Sequence, residues 1–170
     1  MFAVLLTPEY YKMRLAYTIF VTLLLVLNSC TKDVFEVTIL EETGLENASS
    51  NEMELFKLIN DHRIAIGKNS LVFNSETYIA ASEHSAYMVS QGKLSHDNFN
   101  LRASKIEKKT KAKNVSENVA KEYVTNEATL EAWLKSPKHK KNIEGNYTHS
   151  ALSIKQDVEG NYYFTQIFFN

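Results

Sequence analysis

Apolar positions along this chain form first a continuous run, then helical spacings, then an alternating stretch, and each pattern predicts its own kind of element. In the run, residues 15–29 (LAYTIFVTLLLVLNS) carry no charge and follow Lys12 and Arg14. A basic segment before an apolar run of this length reads as a secretory signal, because a membrane span needs a longer stretch. Residues 1–29 are therefore expected to be a signal peptide, and a start at Met13 would make a more ordinary one than Met1. Residues 30–50 are polar and acidic apart from an apolar patch at 34–40, where a short strand is expected, and they read as a tether.

From residue 51 the spacing becomes helical. Met53, Phe56, Ile59 and Ile66 predict a helix over 51–66, with Ser49 and Glu52 at capping-box spacing and Gly67 as its stop. A second helix is expected over 75–91, capped by Ser75, apolar along Ile79, Ala86 and Val89, and ended by Gly92. The basic stretch 101–113 holds a short helix, and another fits 126–135, ended by the turn before Pro137. The period then changes. Residues 151–156 alternate, Glu159-Gly160-Asn161 marks a turn, and 162–169 (YYFTQIFF) form a strong strand. That strand is apolar on both faces, with Tyr163, Ile167 and Phe169 on one and Tyr162, Phe164 and Phe168 on the other, so both faces should be covered. With 115–120 as a third strand, the expected class is α+β: a three-layer α/β/α sandwich around a small antiparallel sheet, one domain over 51–170.

Composition narrows the partners. In 170 residues the net charge is -1, which gives no general attraction for nucleic acid, and 44% hydrophobic residues suffice for a core without covalent staples. The single cysteine, Cys30, excludes an intrachain disulfide and a cysteine-based zinc site. It ends Leu27-Asn28-Ser29-Cys30, which resembles a bacterial lipobox, where a small residue precedes a cysteine that is lipidated and becomes the mature N-terminus. Several acyl chains, palmitate among them, would hold the protein stably at a membrane. The expected location is the bacterial cell envelope, as an exported outer-membrane or cell-surface lipoprotein.

Neither a phosphate-cradling glycine loop nor a serine-nucleophile or zinc-protease motif is present. Three polar residues stand in distinctive settings: His96 after the second helix, Glu117 on the 115–120 strand, and His139 after the last helix. Two imidazoles and a carboxylate can bind a divalent metal, or form a pair in which the carboxylate fixes an imidazole tautomer. Spacing alone does not bring them together.

Five segments in order make the chain similar to the bacterial branch of the CAP superfamily (cysteine-rich secretory, antigen 5 and pathogenesis-related proteins; the SCP domain). They are Asn60-Asp61-His62-Arg63 with Gly67 and Leu71; 81–88 (ASEHSAYM) leading to Leu94-Ser95-His96; Glu117-Asn118-Val119-Ala120; Trp133 with 136–142 (SPKHKKN); and 163–168 (YFTQIF). The resemblance implies the α/β/α sandwich and a cleft where His96, Glu117 and His139 meet, with His96 and His139 as candidate ligands for zinc. It also departs from many eukaryotic members, which carry a second carboxylate three residues after the Trp, where Ser136 stands here. His84 is expected to be structural, Asn118 and Gln166 to be buried amides, and Lys138, Lys140 and Lys141 to form a solvated face. The implied function is an envelope-anchored, non-enzymatic ligand-binding or scaffold module whose partner is a lipid, a glycan or an envelope protein. The alternative is a zinc-dependent hydrolase of peptide or cell-wall material, with Glu117 as base; a third reading makes the polar triad purely structural.

Overall fold

The computed structural model describes residues 48–170, which belong to one structural unit. The signal peptide, Cys30 and the strand expected at 34–40 lie outside the described residues. No helix among the described residues is long and apolar enough to cross a membrane.

Helix α1 (Ser50–Ala65) opens with the expected capping box: Ser49 Oγ accepts the Glu52 amide and the Glu52 carboxylate accepts the Ser49 amide at 2.7 Å. Its buried stripe is Glu52, Leu55, Phe56, Ile59 and Arg63. Ile66, expected on that stripe, is 44% exposed, because the helix ends at Ala65 and Gly67 (φ 75°) turns the chain away. Glu52 does more than cap. Its carboxylate also accepts the Ile154 amide at 2.7 Å and the Tyr78 hydroxyl at 3.1 Å, tying α1 to the sheet.

After the two-residue strand β1 (Val72–Phe73), helix α2 (Ser75–Gln91) is capped by Asn74, whose side chain accepts the Thr77 amide, and not by Ser75. Its buried face also differs from expectation. Ile79 and Ala86 are exposed, while Thr77, Ala81, His84, Ser85 and Met88 face inward. Small residues let the helix lie close to the sheet: Ser85 Oγ reaches Ser153 O at 3.2 Å and Thr165 Oγ1 at 2.8 Å. Counting large apolar residues picked the wrong side.

Helix α3 (Phe99–Thr110) buries Arg102 and Ile106 and starts earlier than the basic stretch suggested. Strand β2 (Val115–Lys121) follows, then α4 (Asn126–Lys135), at its expected bounds and capped by Thr125. A further helix, α5 (Pro137–Ile143), was not expected. Pro137 sits in its first turn, where proline's missing amide costs nothing, so this proline starts a helix as well as ending one.

Strands β3 (His149–Gln156) and β4 (Tyr162–Phe169) form the predicted antiparallel hairpin, and β2 pairs antiparallel with β4. The sheet order is β1-β3-β4-β2, and β1 pairs with β3 in parallel. The sheet is therefore mixed, not wholly antiparallel as expected; a two-residue strand is too short to show alternation. Both faces of β4 are covered as its sequence implied. Ile167 and Phe169 pack with Ala80, Ala81 and Ile106 of α2 and α3. Phe164 and Phe168 pack with Leu55, Phe56, Ile59, Trp133 and Ile143 of α1, α4 and α5. This is the three-layer α+β sandwich, with β2 at one edge of the sheet.

Candidate functional site

The polar residues gather around the edge of β2. Glu117 points into the α2–α3 layer, and its side chain is 1% exposed. A buried carboxylate needs compensation, and it gets it from two sides. Arg102 forks onto it, with Nε donating to Oε2 at 2.9 Å and Nη2 to Oε1 at 2.8 Å. His96 Nδ1 donates to the same Oε1 at 2.8 Å. The planar guanidinium matches a carboxylate in two-pronged fashion, which makes such pairs directional as well as strong.

The 92–98 loop that carries His96 is held at several points. His84 Nε2 donates to Ser95 O at 2.8 Å, Arg102 Nη1 to Asp97 O at 2.6 Å, and Lys121 Nζ to Gly92 O at 3.2 Å. The Tyr87 hydroxyl donates to Asp97 Oδ2 at 3.1 Å, which holds the Asp97 carboxyl below its usual range. His84 is 2% exposed and lies 3.8 Å from Glu117 Oε1. Burial outweighs the attraction of Glu117 and pushes the His84 imidazole below its ordinary range, which favours the neutral form. It is a buried wall of the site, deeper than the helix-surface role expected of it.

His139 comes from the opposite layer, on α5. Asn118 Nδ2 donates to His139 O at 3.1 Å, and Asn142 Nδ2 donates to Asn118 Oδ1 at 2.8 Å and to Glu117 O at 3.2 Å. The half-buried His139 imidazole is held below its ordinary range, first by burial and then by the charge of His96. Lys138, Lys140 and Lys141 are exposed, the solvated face expected of them.

A second purpose of these motif residues emerges at the strand edge. Outward carbonyls of an edge strand invite pairing with another chain. Here Asn142 takes Glu117 O, and Trp133 Nε1 donates to Val119 O at 3.2 Å. The Trp and Asn of the fourth motif cap the edge on which the Glu of the third motif sits.

The zinc reading meets an incomplete donor set. His96 Nδ1 faces Glu117, which leaves Nε2 as its free nitrogen, and His139 makes no side-chain hydrogen bond to another described residue. Both Glu117 oxygens are taken by Arg102 and His96, so Glu117 is an outer carboxylate and not a third ligand. Among the described residues no group of three or more His, Cys, Asp or Glu side chains is arranged to hold a metal ion. Protein zinc sites use three or four ligands, and two imidazoles fall short.

Arg102 was missed by sequence reasoning, which took residues 101–113 only as a basic stretch holding a short helix. Its spacing of four from Ile106, on one helix face, was the available signal.

The profile of the cysteine-rich secretory protein (CAP) family matches residues 56–168, more than half of the chain, and the protein belongs to that family. No curated protein matches it by sequence. Among solved structures it resembles an outer surface protein of Borrelia burgdorferi, at 18% identity and a TM-score of 0.64, over 71% of this chain and 93% of that one. It also resembles an extracellular SCP-domain protein of Bacillus anthracis (22%, TM-score 0.62, 84% and 45%) and a cysteine-rich secretory protein of Staphylococcus aureus (19%, 0.61, 73% and 39%). The chain spans less than half the length of the last two. At these identities the likeness concerns the fold.

Proposed function

We propose that this is an exported envelope protein, anchored through lipidated Cys30, whose CAP domain serves as a non-enzymatic ligand-binding or scaffold module. One observation carries the reading of the site: both oxygens of Glu117 are occupied by internal donors. A general base must be within reach of the proton it removes, and this carboxylate is 1% exposed beneath the Arg102 fork. Glu117 instead acts as a brace that fixes the His96 tautomer and couples α3 to β2. His96, with its side chain 53% exposed, and the half-buried His139 are the groups that can meet a ligand. The envelope location is supported by the signal and lipobox pattern and by the extracellular or outer-surface descriptions of the similar structures.

Zinc titration by calorimetry separates this from the hydrolase alternative, with wild type beside a His96→Ala/His139→Ala variant. The expected result is weak or absent binding at neutral pH. Tight one-to-one binding lost in the double variant, with chelator-sensitive turnover, would replace the binding module by a metal hydrolase. Labelling with radioactive palmitate tests the anchor: label is expected on wild type and absent from Cys30→Ser.

A further inference from the structure

Between α2 and α3 the surface opens into a groove of about 380 Å³. Glu83 and Tyr87 line it from α2, and Asn98, Leu101, Lys105 and Lys108 from α3 and its cap. Neither His96, Glu117 nor His139 contributes, although the buried His84 and Arg102 form part of the wall. The volume lies at the lower end of the range for small-molecule sites.

The unspent groups in this groove have a definite chemistry. Lys105 and Lys108 form no ion pair with another described residue, whereas the neighbouring Lys109 is paired with Glu76. The charge of Arg102 is already neutralised by Glu117. The free charges lining the groove are thus two ammonium groups and one carboxylate, Glu83. Asn98 holds a left-handed conformation (φ 60°, ψ 20°) at the start of α3, yet its side chain makes no capping bond, so its amide remains available. The hydroxyl of Tyr87 is committed to Asp97 and its half-buried ring stacks on His84 at 5.9 Å, so the part of the ring that lines the groove is its contact surface. Leu101 adds an apolar side chain that is 64% exposed.

An aromatic face, an amide, a carboxylate and a surplus of ammonium groups suit a ligand with a C–H face, hydroxyls and an acid group. We propose that this groove is a second binding site, for an acidic saccharide segment whose carboxylate is met by Lys105 and Lys108 and whose ring lies against Tyr87. An anionic bilayer would also attract these lysines. The groove favours the saccharide, because its cations line a concavity that a flat bilayer surface does not enter and Glu83 offers an acceptor to sugar hydroxyls. The assignment does not rest on the His96–His139 reading.

The test is calorimetric titration of the full chain, in non-ionic detergent, with tetragalacturonate as probe and a neutral tetrasaccharide as control. Saturable one-to-one binding of the acidic sugar alone is expected, weakened about tenfold in Lys105→Glu/Lys108→Glu. A Lys111→Glu/Lys113→Glu variant makes the same charge change outside the groove and should bind like wild type. Asn98→Asp places a negative charge in the groove and should weaken binding by itself. The proposal falls if the acidic sugar does not bind, if the two lysine variants behave alike, or if phosphatidylglycerol vesicles need Lys105 and Lys108 while the saccharide does not.

Discussion

Arg63 and Arg102 are both buried guanidiniums, but they are surrounded by different acceptors. Arg63, 0% exposed, donates to the carbonyls of Asn69, Ile143, Gly145 and Tyr147 and to the Asn69 side chain, and meets no carboxylate among the described residues. It gathers the loop after α1 and the loop after α5 into one clasp. Arg102 spends its fork on Glu117 and one further bond on Asp97 O. Carbonyl dipoles hold a cation without fixing any other charged group. A carboxylate partner is itself positioned, and through Glu117 the effect of Arg102 reaches His96. The first arginine makes a fold, and the second makes a fold and a site.

The largest expected effect separates these cases. Glu117→Ala leaves Arg102 buried without its counter-charge, and should cost about 3–5 kcal/mol in urea unfolding. Replacing the pair together, Arg102→Met with Glu117→Leu, should recover much of that loss while His96 loses its anchor. A double variant no more stable than Glu117→Ala would show that Arg102 acts as Arg63 does, through carbonyls. Arg63→Met comes next, at about 2–3 kcal/mol, since charged hydrogen bonds to several carbonyls are lost while the stem still packs. Because its acceptors are spread over two loops, no single second change should rescue it.

How far this arrangement was legible depended on what each residue type advertises. Strand β3 announced itself by alternation, β4 by an apolar run on both faces, and α4 by the turn before Pro137 that ends it. Strand β1 is too short to alternate, and α5 was hidden by a proline that signals a stop as readily as a start. The inward face of α2 was misread because close packing on the sheet uses Ala81 and Ser85, which carry little hydrophobic signal. Of the site, His96 and Glu117 were picked out by motif, and the structure joins them directly; His139 is tied to them through Asn118 and Asn142. Arg102 stayed invisible because it opens a stretch rich in lysines, and a charge run reads as solvated until a partner is known. The partner is distant in sequence, so local pattern does not reveal it.

A smaller change probes the strand edge beside Glu117. Trp133→Phe keeps most of the buried ring but removes the donor to Val119 O. The loss should be about 1–2 kcal/mol. Exchange of the backbone amides of β2 should rise more than that of β3, because the effect sits at the outer strand.

The smallest effect is one of pH, and it again divides the two arginines' surroundings. Arg63 keeps its charge between pH 5 and 8, since burial lowers a very high value. Near Arg102, His84 is held below the ordinary histidine value by burial, and His139 by burial and the charge of His96. His84 is faced by Glu117, Arg102 and His96, and burial outweighs the attraction of the carboxylate. With the folded values lowered, the unfolded chain binds more protons below about pH 6.5. Stability from these two groups is therefore fully present above that pH and is lost as the pH falls through it toward the folded values. Thermal melts should show the midpoint dropping between pH 7 and 5.5. His84→Gln retains a donor that can reach Ser95 O but does not titrate, so its midpoint should fall less steeply, and His139→Gln should remove part of the remaining slope. If His84→Gln leaves the slope unchanged, the wall behind Glu117 is not where acid enters the fold.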